Sequence, residues 1–152
     1  MGTTTLAGVV WLAYGVWGGW ICWIDATTRR LPNTLTWPAF IATAFFTVVL
    51  PHWQPQQLLG GLFWAIFIIF APLVSRRMQA GGGDAKLALT LGTLATGEEF
   101  WGLWVAMAVA GVVGVGIAKA TTARDRDSFT PHGPAMVVGT LVVVVGFIVS
   151  GA

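Results

Sequence analysis

"GGGDAKLALTLGTLATG", residues 81–97, is the stretch on which the fold turns. Its apolar part, 84–97, is short. At ~1.5 Å per residue it reaches about 20 Å, against a hydrocarbon core of about 30 Å. The other apolar runs lie at roughly 5–25, 34–50, 57–74, 99–118 and 134–151, and most approach the ~20 residues that a crossing helix needs. If 84–97 also crosses, the connections alternate sides. Arg29, Arg30, Arg76, Arg77, Lys86, Lys119, Arg124 and Arg126 then share one face, and the other receives only "PHWQPQQ" and "GEE". If 84–97 stays on one side, Lys119, Arg124 and Arg126 change faces and the asymmetry collapses. Charge therefore selects an all-α membrane protein of six transmembrane helices, its basic face cytoplasmic and both termini outside. The short fourth helix then starts below the membrane surface, or the bilayer thins around it.

Composition agrees. The 152 residues are 56% hydrophobic and 9% charged, with a mean hydropathy of +0.78. A soluble domain carries about 25% charged residues, so this chain cannot cover itself for water and its natural partner is the lipid bilayer. Closed barrels are excluded, because the runs are continuous rather than alternating. The net charge of +2 is spread too thinly for nucleic-acid binding. A lone Cys22 in an apolar run excludes an internal disulfide and a cysteine-rich metal site. No basic region precedes the first run, so a cleaved signal peptide is not expected. Residues 1–152 read as one membrane domain.

Tryptophans follow the same layout. Trp53, Trp101 and Trp104 fall at the outer interface, and Trp20, Trp23 and Trp37 at the inner one. Gly15 and Gly19, spaced as GxxxG, are the expected close-packing points of the first span.

Two carboxylates stand at cytoplasmic span ends, Asp25 and Asp84. Asp125 and Asp127 read as solvated partners of Arg124 and Arg126, and Glu98 and Glu99 as helix-start residues favoured by the dipole. Asp25 sits at a helix C-terminus, where the macrodipole disfavours negative charge. An ionisable group at membrane depth is costly and points to function; the plain alternative is an ion pair with Arg29, one turn on. Asp84 precedes a helix, where Asp serves as an N-cap. A cap does not need three preceding glycines, however. Glycine permits close backbone approach and positive φ, so the glycines read as the device that brings Asp84 to a neighbouring helix. Two such carboxylates share a proton, and one can activate water while the other polarises a carbonyl, with no metal and no cofactor.

Three segments then resemble one family. "DATTRRLPN" (25–33) resembles the first aspartate motif of type IV prepilin peptidases, "GGGDAKL" (81–87) their GxGD motif, and "PHGPAMVVG" (131–139) the Pro-x-Gly-Pro segment opening their last helix. The order is right and the likeness covers essentially the whole chain. The resemblance implies an aspartic endopeptidase that removes the short basic leader of prepilin-like precursors, whose apolar helix follows the cut, at the cytoplasmic side of the cell membrane. By motif position Asp25 and Asp84 are the catalytic pair; Gly81, Gly83, Lys86, Pro32, Asn33, Pro131, Gly133 and Pro134 support them. The chain opens directly on a span and has one cysteine, so it looks like the short forms associated with tight-adherence pili or archaeal preflagellins, without the methyltransferase part. His132 stands where an aromatic residue is more usual; it could modulate the site, although a cytoplasmic loop histidine is more often just exposed.

Local roles suffice for Pro32, which stops a helix, and for Asn33, which can cap the second span; Lys86 either snorkels to the interface or biases the protonation of Asp84 or meets the substrate's carbonyls. A proton-coupled transporter and a non-catalytic scaffold of a pilus or secretion complex remain the alternatives. The transporter is disfavoured because both aspartates lie at one face rather than near the midplane.

Overall fold

The computed structural model describes residues 2–50, 53–74, 81–97, 100–122 and 132–150, with side chains from residue 8 onward except 74, 122 and 150. Every apolar run is a helix, and no strand occurs among the described residues: α1 Gly2–Thr28, α2 Asn33–Val49, α3 Gln57–Val74, α4 Gly82–Thr96, α5 Trp101–Thr122 and α6 Gly133–Ser150. α1 outruns its apolar stretch because Thr27 and Thr28 donate to the carbonyls of Trp23 and Ile24 (2.8 and 2.9 Å), supplying donors to the last turn. It ends where Arg29 turns left-handed, at φ 54°.

Contacts across the bundle show that the helices alternate in direction. At one end the C-terminus of α1 meets the N-termini of α2, α4 and α6, as detailed below. At the other, the Gln57 amide at the start of α3 donates to the carbonyl of Gly97 after α4 (2.7 Å), and Trp101 of α5 packs edge-on to Phe147 of α6. Asp25, Arg29, Arg30, Asp84, Lys86 and Lys119 all lie at the first end and are the only charged residues described. The one-sided charge read from the sequence thus recurs in the structure, although Arg76, Arg77, Arg124 and Arg126 lie outside the described residues.

α4 is the hub. It runs between α2, α3, α5 and α6, and Ala85, Leu87, Ala88, Thr90 to Thr96 and Asp84 are all buried. A helix walled by protein does not have to match a hydrocarbon thickness, so it can be short and rich in Ala, Gly and Thr. Two of its three buried threonine hydroxyls are satisfied within the helix, Thr93 and Thr96 each donating to a carbonyl four residues back at 2.7 Å, while the Thr90 hydroxyl has no partner among the described residues. Close packing is not at Gly15 and Gly19, which have nothing within 4 Å of an added Cβ. It lies between α3 and α4, where a Cβ on Gly92 would stand 2.8 Å from the Gly60 carbonyl oxygen. The α3 and α4 backbones touch because neither carries a side chain there.

α1 is the least embedded helix. It packs on α6 and is joined to α2 by the Trp17 indole, which donates to the Leu35 carbonyl (3.1 Å), and by a Tyr14–Thr43 hydroxyl pair at 2.5 Å. The outward faces are apolar throughout, with Leu12, Val16, Ile41, Phe45, Val112 and Val149 exposed. Two helices, over Gly8–Thr28 and Trp101–Thr121, are long and apolar enough to cross a membrane; Asn33–Val49, Gln57–Leu73 and Gly133–Val149 are shorter apolar helices. Trp20, Trp23 and Trp37 are exposed at the charged end and Trp101 and Trp104 at the other. Trp53 precedes α3 at that same end. It is partly buried among Trp11, Tyr14 and Phe46, with ring centroids 5.5 to 6.5 Å away.

Candidate active site

Asp25 lies one turn from the end of α1 and is 4% exposed. Its carboxylate forms no ion pair with Arg29, whose backbone N–H instead donates to the Asp25 carbonyl (2.9 Å) as the helix closes. The partner of the side chain is on the far side of the sequence. The Gly133 N–H, the first of α6, donates to Asp25 Oδ2 at 2.9 Å in a buried bond. A helix N-terminus presents free N–H groups and partial positive charge, so it holds a carboxylate well. The approach is close: a Cβ at position 133 would stand 2.8 Å from Asp25 Oδ2, so any larger residue would push that carboxylate aside. Pro134 follows in the first turn, where its missing N–H removes no helical bond.

Asp84 is 7% exposed. The expected N-cap role shifts by three residues. Gly81 is the cap, extended at φ −77° and ψ 162°, and α4 begins at Gly82. Asp84 occupies the third helical position and reaches back, its Oδ2 accepting the Gly81 N–H at 2.8 Å while the Gly81 carbonyl accepts the Asp84 N–H at 3.0 Å. This reciprocal pair is the half of a capping box that a glycine cap can make. The glycine run does not serve positive φ: of the described glycines only Gly97 has it. It serves close approach, as expected. A Cβ on Gly83 would lie 3.0 Å from the Cβ of Leu31, in the turn after α1.

That turn docks on α4 a second time. Lys86 Nζ donates to Asn33 Oδ1 at 2.7 Å. Asn33 is therefore the first residue of α2 rather than its cap. Pro32 is the cap (φ −71°, ψ 139°), and its carbonyl accepts the N–H groups of Leu35 and Thr36. Lys86 links two motif segments rather than snorkelling freely. Pro131, like Glu98, Glu99, Asp125 and Asp127, lies outside the described residues.

The result is a cluster built from separate helices. Asp25 near the end of α1, Asp84 in the first turn of α4 and His132, directly before α6, stand at the same end of the bundle, tied together by the Gly133–Asp25, Gly83–Leu31 and Lys86–Asn33 contacts. His132 is half-buried, not a freely exposed loop residue, and its carbonyl starts α6 by accepting the Met136 N–H (3.1 Å). The available signal was its place between Pro131 and Gly133, inside the last motif. Leu31 was also missed; nothing in its apolar character marks it as the contact for Gly83. Two buried carboxylates, each held by one backbone N–H and each with an oxygen left over, can divide general-base and general-acid work between them.

Comparison with known proteins gives one finding. The sequence profile of the type IV leader peptidase family matches residues 12–148. No curated protein and no solved structure matches the chain.

Proposed function

The chain belongs to the type IV leader peptidase family, and from that premise we propose that it is a membrane aspartic endopeptidase. It cuts the short basic leader from prepilin-like precursors at the cytoplasmic face, with Asp25 and Asp84 as the catalytic pair. The observation that carries the proposal is the convergence of two buried aspartates, distant in sequence, at one end of the bundle.

In this reading the pair shares one proton, as two carboxylates acting on one bond must. The ionised member takes a proton from water, whose oxygen attacks the scissile carbonyl carbon. The protonated member donates to the carbonyl oxygen as charge develops. Collapse of the tetrahedral intermediate breaks the C–N bond, and the proton taken from water passes to the leaving amine. The backbone N–H groups of Gly133 and Gly81 fix one oxygen of each carboxylate, leaving the other for water or substrate. No cofactor enters the scheme.

All six helices span the bilayer in this proposal, the charged end is cytoplasmic under the positive-inside rule, and both termini are outside. A relay transporter fits less well, because the described ionisable groups gather at one end and not at mid-depth. Incubation of the purified protein with a peptide carrying a basic leader, a glycine and an apolar helix tests the proposal. Cleavage after the glycine supports it; an intact peptide under conditions where the protein is folded refutes it.

A further inference from the structure

Helical spacing puts Tyr14, Gly18, Ile21 and Asp25 on one face of α1. Each of the four meets something different. Asp25 accepts the Gly133 N–H of α6 at 2.9 Å. Ile21 is wholly buried, and a Cβ on Gly18 would stand 3.2 Å from Val137 Cγ1 of α6. Tyr14 reaches α2 instead, its hydroxyl 2.5 Å from Thr43 Oγ1. Thr43 donates its own O–H to the Ala39 carbonyl (2.7 Å), so in this pair Tyr14 is the donor and Thr43 the acceptor. The tyrosine ring is flanked by Trp11, Trp17 and Trp53, at centroid distances of 6.2 to 6.5 Å, which fixes where its hydroxyl points. Among the described residues α1 and α2 scarcely pack on each other. This bond and the one from the Trp17 indole to the Leu35 carbonyl (3.1 Å) join them.

We propose that Tyr14 is a positioning residue for Asp25: by donating to Thr43 it sets the rotation of α1 about its own axis, and with it the direction of the carboxylate. This rests on the reading of Asp25 and Asp84 as the catalytic pair. Tyr14 lies three helical turns, about 16.5 Å, from Asp25, yet the two share a face. A helix with its side chains is about 10–12 Å across, so a rotation of about 10° carries an oxygen at its edge by about 1 Å. That is enough to take the 2.9 Å bond to Gly133 out of range. Contact at Gly18, which has no side chain to interlock, resists such a turn little. The Gly133 bond does not hold the angle alone. It is charge-assisted while Asp25 is ionised and weakens when Asp25 takes up its proton in the cycle. The Tyr14–Thr43 bond joins two neutral groups, so it keeps its strength through every protonation state of the pair and holds α1 in place between them.

Two readouts test this on the full-length protein in lipid or detergent. The first is the kinetics of leader removal. Tyr14→Phe keeps the ring contacts and loses only the hydroxyl. A neutral hydrogen bond biases a population by about two- to tenfold, so kcat should fall by that factor with KM unchanged. Thr43→Val should match it, and the double variant should be no worse than either single. Thr43→Ser, which keeps the acceptor, should retain wild-type kcat. The second readout needs no activity. His132–Gly133 is the one His–Gly pair in the sequence, so 13C-histidine combined with 15N-glycine isolates the Gly133 amide signal by NMR. Tyr14→Phe and Thr43→Val should move that signal toward its position in Asp25→Ala, and Thr43→Ser should not. An unmoved signal in Tyr14→Phe overturns the proposal even where kcat falls, and so does an unchanged kcat in a protein that cleaves. If Tyr14→Phe does not fold, Thr43→Val and Thr43→Ser decide on the same signal: equal movement in both, or movement in neither, overturns the proposal. A signal that moves as stated in a protein that cleaves no leader peptide would uphold the coupling of Tyr14 to Asp25 and sink the peptidase reading instead.

Discussion

Gly133→Ala is the smallest change that separates the geometry of the dyad from the stability of the fold. The added Cβ would lie 2.8 Å from Asp25 Oδ2, where ordinary contact starts at 3.4 Å, so the two must part by 3.4 − 2.8 = 0.6 Å. The neighbour is a short carboxylate side chain held by the same residue's N–H at 2.9 Å, so parting them stretches that bond out of hydrogen-bonding range. A hydrogen bond to a charged group contributes about 1.5–3 kcal/mol, which is ~10- to 100-fold in rate if the bond holds Asp25 for catalysis. Displacement of a reacting group by a fraction of an ångström has a cost of the same order. Gly133 has ordinary helical backbone, and alanine is the better helix former by about 1 kcal/mol. Thermal stability should therefore hold while kcat falls and KM barely moves, because no contact to the substrate is removed. Initial rates of leader removal, alongside a melting curve, check both halves. Turnover within about twofold of wild type would show that the Gly133–Asp25 bond does not hold the reactive geometry.

Asp25→Asn and Asp84→Asn should each abolish cleavage with little loss of folding, since a dyad acts as a unit; near-normal turnover by either ends the two-carboxylate mechanism. Gly92→Val should force α3 from α4, lowering stability by about 1–3 kcal/mol or more and the melting temperature with it, whereas Gly15→Val should do neither. A double-mutant cycle on Asn33→Ala and Lys86→Met should show a coupling of about 0.5–1 kcal/mol at this exposed link; strict additivity would mean the contact contributes nothing. In a Cys22→Ala background, a cysteine at Gln56 should react with impermeant reagents from outside and one at Arg30 should not, and the reverse would invert the proposed topology. Moving the cleavage sequence about two helical turns, ~11 Å, deeper into the substrate's apolar segment should stop processing; efficient cutting would place the working depth nearer the midplane.

Much of this was legible in the sequence because it depends on sums. Six apolar runs and a one-sided set of basic residues survive small errors in any boundary, and all six runs became helices. Motif order likewise picked out Asp25 and Asp84, whose burial fits the cost argument that singled them out. What could not be read depends on pair distances. The partner of Asp25 was sought locally at Arg29, because i to i+4 is the only spacing a single helix makes visible, yet it lies 108 residues away at Gly133. Close packing was sought at the GxxxG spacing of Gly15 and Gly19, a pattern that marks where helices can approach but not whether one does. Gly60, Gly61 and Gly92 lack that spacing and make the contact. The cap of α4 was misplaced because glycine has no side chain to advertise, and Asp84 supplies the capping carboxylate from three residues on.

The arrangement also explains why the second aspartate sits on the most peripheral helix. Asp84 belongs to α4, whose place is fixed by four neighbours, and its carboxylate is held by its own helix start. Asp25 belongs to α1, which packs on α6 and leans on α2 through Trp17 and Tyr14. Nothing internal to α1 holds its carboxylate; the Gly133 N–H of α6 does. The meeting of the pair therefore depends on three small contacts at the charged end: Gly133 on Asp25, Leu31 on Gly83, and Lys86 on Asn33. The first joins the first and last motif segments and the other two join the first and second, and each except the last needs a glycine to close. Motif glycines and aspartates are then one device. The glycines set how near the backbones come, and that distance decides whether two separately mounted carboxylates can act on one bond.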